Sequence, residues 1–201
     1  NKLAGVHHNL GYIFKSVGDN KNSIHYQKLA VTLNPNSKVF LHSLLFYLNY
    51  SPNMSAEEIF EYYKLYDQRF GLPRKDKWKA YAQPKVPMKK LKIGYMSPDF
   101  RYHTINPFFS SILSNHNHDK FEIFAFAELE SEDKVSQEYK SYVDHWISTD
   151  GMKDDELVQK IRDMGIDILV DVSGHTESSR LTVFAQKPAP VSISVSYTHL
   201  R

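Results

Sequence analysis

The sequence predicts an α/β protein in which α-helical hairpins of the tetratricopeptide type precede a Rossmann-like lobe. Three observations predict it. Ala4 to Pro35 fits a helix-turn-helix repeat of about 34 residues. Gly71 to Lys90 is rich in proline and basic residues, as a linker is. Beyond Lys90, short apolar strands alternate with helical stretches, the pattern of βαβ units and a mostly parallel sheet.

In the repeat, Leu10 and Phe14 share one helical face and Gly11 lets a partner helix approach closely. Gly18-Asp19-Asn20 is turn chemistry, and Pro35 stops the second helix, with Ala30 also at a repeat position. Any helical hairpin would satisfy these residues, and His7, Ser23 and Gln27 stand where the repeat usually carries Trp, Ala and an aromatic. One repeat cannot build a stable solenoid, so further repeats are expected before it. An apolar helix follows over 37–50. Ser55-Ala56-Glu57-Glu58 is a capping box that opens another helix, with Ile59, Tyr62, Tyr63, Tyr66 and Phe70 in it. Domain bounds are expected at 1–70 for the repeat end and junction helices, 71–90 for the linker and 91–195 for the Rossmann-like lobe. The basic residues of the linker read as a solvated face.

In the lobe, strands are expected over 91–97, 121–126 and 167–172, and helices over 107–115, 134–143 and 154–164. The loops after strand ends, at 97–106 and 173–179, are where such sheets place ligands.

Composition narrows the function classes. Hydrophobic residues make up 41% of the chain and aromatics 13%, enough for a buried core. Lys and Arg number 25 against 23 Asp and Glu, a net charge of +2, too balanced for a phosphate-backbone partner, so nucleic acid is not indicated. With no Cys, thiolate metal sites and cysteine nucleophiles are excluded, and the cytoplasm is the expected compartment. No apolar run approaches the roughly 20 residues of a membrane span, so no membrane partner is expected. Glycine-rich phosphate loops are absent, and His116-x-His118 lacks convergent ligands, so neither a metal nor a cofactor is predicted.

The ordered motifs are Ser97-Pro98-Asp99-Phe100-Arg101-Tyr102-His103, Asp167 to Thr176 (Asp-Ile-Leu-Val-Asp-Val-Ser-Gly-His-Thr) and Arg180 to Pro190, with Leu41-His42-Ser43-Leu44-Leu45 in the helical junction. Together they resemble the bacterial, SPINDLY-like branch of the protein O-linked N-acetylglucosamine transferase family, across the chain to about Val191. The resemblance implies a two-lobed, GT-B-type inverting glycosyltransferase that moves N-acetylglucosamine from UDP-N-acetylglucosamine to Ser and Thr hydroxyls, with acceptor proteins recruited through the repeat arm. Only the first lobe is expected here. The second lobe, with most donor contacts in the family, is not, so the piece alone is expected to be inactive. Residues 195–201 lack the family's Trp-Leu-Gly-Tyr-Pro-Gly type loop and read as a non-native tail.

A hydroxyl nucleophile needs a base, and its leaving nucleoside diphosphate needs a cation or dipole. His103, in the loop after the first strand, is the candidate base, since an imidazole ordinarily titrates at roughly pH 6.5. Its competing reading is a surface or loop-capping histidine. Asp99, four residues earlier, could orient that imidazole or serve as a turn cap. The resemblance places counterparts of His103 and Asp99 near the reaction centre, and one of His42 facing the cleft. His175, after Ser173-Gly174, and Thr104 are candidate substrate contacts. Arg180 and Lys187 read as surface ion pairs rather than anion contacts. Two alternatives stand beside this reading: the same fold with another donor such as GDP-fucose, and a non-catalytic repeat scaffold.

Overall fold

A computed structural model describes residues 2–81, 86–176 and 178–195. The chain divides into two compact units: Asn1–Pro73 with His175–Glu177, and Arg74–Gly174 with Ser178–Arg201.

The first unit contains α1 (Lys2–Ser16), α2 (Asn20–Leu33), α3 (Lys38–Leu48) and α4 (Ala56–Tyr66), the last running into a π turn over Asp67–Gly71. Each start is chemically marked. Asp19 accepts from the Asn22 N–H, Ser37 from the Phe40 N–H, and Ser55 with Glu58 closes the expected capping box. α1 packs on α2 where Gly11 has no side chain. A Cβ there would lie 2.7 Å from Gln27 Nε2. Two of the three departures from the repeat pattern, Ser23 and Gln27, occupy this contact productively. Ser23 Oγ donates to the Gly11 carbonyl at 2.8 Å, and Gln27 Nε2 donates to the His8 carbonyl at 3.1 Å. Polar side chains thus replace the usual small and aromatic residues without leaving their own groups unsatisfied.

The second unit is a five-stranded parallel sheet: β1 (Leu91–Ser97), β2 (Phe121–Ala127), β3 (His145–Ser148), β4 (Ile168–Asp171) and β5 (Val191–Ser194), in the order β3-β2-β1-β4-β5. Connecting helices are α5 (Asn106–Ser114), α6 (Lys134–Lys140), α7 (Asp154–Asp163) and the short α8 (Leu181–Phe184). Strand alternation fills two cores. Ile93, Tyr95, Ile123 and Ala125 pack with Phe100, Phe109, Leu113 and Tyr139 on one face. Met96, Phe124, Phe126 and Leu169 pack with Leu157, Val158, Ile161 and Val183 on the other.

β3, β5 and α8 were not among the expected elements, each having only four residues. The helix expected over 134–143 stops at Lys140, where Ser141 Oγ turns back onto the Glu138 carbonyl.

The stretch read as a linker is corrected in part. Leu72–Lys77 forms a 3-10 turn, and Trp78 Nε1 donates to the Ala185 carbonyl at 2.8 Å. Lys77 pairs with Asp155, and Lys89 with Asp167, so two of its basic groups carry ion pairs, that of Lys77 still partly solvated. Residues 82–85 of the linker and 196–201 of the suspected tail lie outside the described residues.

The α1–α2 contact yields a stability prediction. Gly11→Val should destabilise the helical unit by about 1–3 kcal/mol, because Gln27 must leave its place between the helices. Chemical denaturation checks this, and a midpoint equal to that of the parent would show that the contact is loose.

Candidate active site at the end of the parallel sheet

The chain leaves β1 toward β2 and β3, then crosses back to form β4 on the other side of β1. The carboxyl ends of β1 and β4 therefore diverge at a topological switch point, where parallel sheets open a crevice for ligands. The two loops that carry the candidate motifs begin there.

After β1, Asp99 and His103 are brought together: His103 Nε2 lies 3.7 Å from Asp99 Oδ1. The Asp99 side chain is 8% exposed and that of His103 is 32% exposed, so a held carboxylate sits behind an imidazole that solvent and ligand can reach. The Asp99 N–H donates to Ser97 Oγ at 3.0 Å, and the Tyr102 N–H to Asp133 Oδ2 at 2.7 Å. Asp133 also caps α6, so one carboxylate anchors the loop and starts a helix. Thr104 is exposed next to His103, and the His103 carbonyl accepts from the Asn106 N–H as α5 begins.

After β4, Asp171 organises the turn. Its residue is 2% exposed, and it accepts from the Ser173 N–H at 3.1 Å, the Gly174 N–H at 2.9 Å and Ser194 Oγ at 2.6 Å. Burial pushes its carboxyl above the ordinary range against the pull of those three donors. Gly174 has φ +61°, a left-handed conformation that glycine adopts without strain. Asp171, Ser97 and Ser173 were not among the expected site residues. The signal was available: an Asp at a strand end followed by Ser-Gly is the pattern of a side chain that bonds its own downstream backbone.

His42 and His175 meet within the helical unit. Their ring centroids are 5.1 Å apart in an edge-on arrangement, and Tyr66 lies 4.8 Å from His42 and 4.6 Å from His175. Burial, with the neighbouring His175 ring and Lys38, holds the His42 imidazole down at about 3; burial alone holds that of His175 at about 4. Both are neutral near pH 7. Among the described residues, His42 Nε2 and His175 Nδ1 are buried ring nitrogens with no hydrogen-bond partner, so each retains capacity for a ligand group.

Arg180 forms ion pairs rather than an open anion contact, in a site only 14% exposed. It donates to Glu128 at 2.7 Å and Asp154 at 2.9 Å, and to the Thr149 and Met152 carbonyls. Lys187 Nζ sits 3.9 Å above the Trp78 ring. Among the described residues, no three His, Asp or Glu side chains converge as a metal site, and no helix is long and apolar enough to cross a membrane.

The lowered histidine values set a pH dependence. Between about pH 6.5 and the native values near 4 and 3, the unfolded chain binds more protons at His42 and His175 than the native one, so stability falls as pH falls through that window. The thermal midpoint should therefore drop from pH 7 to pH 4, and His42→Gln should weaken the dependence. Parallel curves for parent and variant would contradict this.

The family model described as glycosyl transferase family 41 matches residues 34–197. A probable UDP-N-acetylglucosamine–peptide N-acetylglucosaminyltransferase SPINDLY of Oryza sativa subsp. japonica is 25% identical over 84% of this chain and 18% of its own length. The SEC relative of Arabidopsis thaliana is 32% identical over 63% of this chain and 13% of its own. The structure of a mutant O-GlcNAc transferase of Thermobaculum terrenum aligns with TM-score 0.87 and 27% identity, over 95% of this chain and 36% of that one. The chain thus spans less than a fifth of the curated relatives it matches. With the family model covering most of its length, from the junction helices through β5, the chain belongs to glycosyl transferase family 41.

Proposed function

We propose that this chain supplies the helical junction and the first Rossmann-like lobe of an inverting glycosyltransferase that moves N-acetylglucosamine from UDP-N-acetylglucosamine to Ser and Thr hydroxyls of proteins. The observation that carries the reading is the Asp99–His103 pair on the β1 loop at the switch point of a family 41 lobe.

The chemistry follows from these positions. The acceptor oxygen attacks the anomeric carbon, its proton passes to the His103 imidazole, and the bond from that carbon to the diphosphate oxygen breaks, so UDP leaves with the electron pair. Asp99 steadies the imidazolium that forms, as a buried carboxylate beside a base does. His42 and His175 offer neutral ring nitrogens to substrate hydroxyls or carbonyls, and Thr104 offers a hydroxyl at the loop rim. The remaining donor contacts, with the positive charge that meets the diphosphate, belong to a second lobe. The reaction requires the nucleotide sugar as substrate and no resident metal or cofactor. The helical hairpins recruit acceptor polypeptides, and the cytoplasm is the working compartment.

The test is transfer of labelled N-acetylglucosamine by the full-length protein. His103→Ala should cut transfer at least tenfold, a loss of about 1.4 kcal/mol or more in transition-state stabilisation. The thermal midpoint should stay nearly unchanged, because the His103 side chain is partly exposed. Unaltered transfer, or loss of folding, would defeat the assignment of His103 as base.

A further inference from the structure

A continuous polar path runs under the candidate base from the sheet edge. Ser194 Oγ on β5 donates to Asp171, which holds the Ser173 and Gly174 N–H groups. Ser173 Oγ lies 3.4 Å from Ser97 Oγ at the end of β1, and Ser97 Oγ accepts the Asp99 N–H at 3.0 Å. Asp99 then faces His103. The backbone of Ser97 is committed elsewhere, its carbonyl accepting the Glu128 N–H at 3.1 Å, so the hydroxyl is the part of this residue that sets the first turn of the loop. Ser97 and Ser173 are each 2% exposed.

We infer that Ser97, seated by Ser173 and Asp171, is a positioning residue that holds Asp99 in the orientation from which it serves His103. The inference rests on the proposed roles of Asp99 and His103. Two hydroxyl groups and one carboxylate fix the rotation of the Ser97–Asp99 segment. Without the Ser97 hydroxyl, the Asp99 N–H loses its partner and the loop turns to find another. The carboxylate then moves from His103 while the fold stays, because β1 remains hydrogen-bonded to β2 and β4 along its length. Small misplacements of this kind affect the reaction more than binding.

The experiment is a double-mutant cycle in the full-length protein, with transfer to a fixed acceptor as the readout. Ser97→Ala should lower kcat about tenfold with KM for UDP-N-acetylglucosamine nearly unchanged, and should cause no further loss in an Asp99→Ala background. Ser173→Ala, which leaves every backbone bond of the Asp171 turn intact, should give a smaller loss with the same non-additivity; it also serves if Ser97→Ala fails to fold. Full activity of both serine variants, or a loss that multiplies with that of Asp99→Ala, would overturn the inference. Full activity of Asp99→Ala itself would instead remove the catalytic reading beneath it.

Discussion

A carboxylate buried at the end of a strand is costly unless its oxygens are filled, and Asp171 fills them with two backbone N–H groups and the Ser194 hydroxyl. The Ser194 bond ties β4 to β5, and the two N–H bonds bend the chain through Gly174 toward His175. Replacing Asp171 with an amide would set an N–H donor against a donor, so the turn tolerates only an acceptor there.

Around that corner the molecule combines rigid and reachable groups. Two apolar layers of the sheet unit, one with α5 and α6 and one with α7 and α8, fix the strand ends. Arg180, bonded to Glu128 and Asp154, staples the loop before α8 to the segments after β2 and β3. His103 is left partly open on a loop tied down at Ser97 and Asp133. A partly open imidazole on a held loop is the arrangement that the proposed proton transfer from a bound hydroxyl calls for.

Much of this was legible in the sequence, and the reasons differ by element. The capping box at Ser55, the close approach at Gly11 and the strand of 91–97 announce themselves through local chemistry or period. β3 and β5 do not, because four residues carry too little period to separate strand from loop. Asp99 and His103 could be picked out as a pair four apart, but their 3.7 Å approach depends on Ser97 and Asp133, whose bonds span a turn and a distant helix cap. His42 and His175 are 133 positions apart, and only the fold brings their rings together. The basic stretch around Trp78 misled for a related reason: the partners that engage Lys77 and Lys89 are Asp155 and Asp167, far along the chain.

The central claim is that this lobe is half of a uridine nucleotide-sugar site, and calorimetric titration of the full-length protein with UDP-N-acetylglucosamine, UDP and GDP-fucose tests it most directly. Binding of both uridine ligands, with none of GDP-fucose, is the predicted result. Binding of GDP-fucose alone would assign a different donor to the same fold, and silence toward all three would contradict the transferase account and leave a protein-binding scaffold.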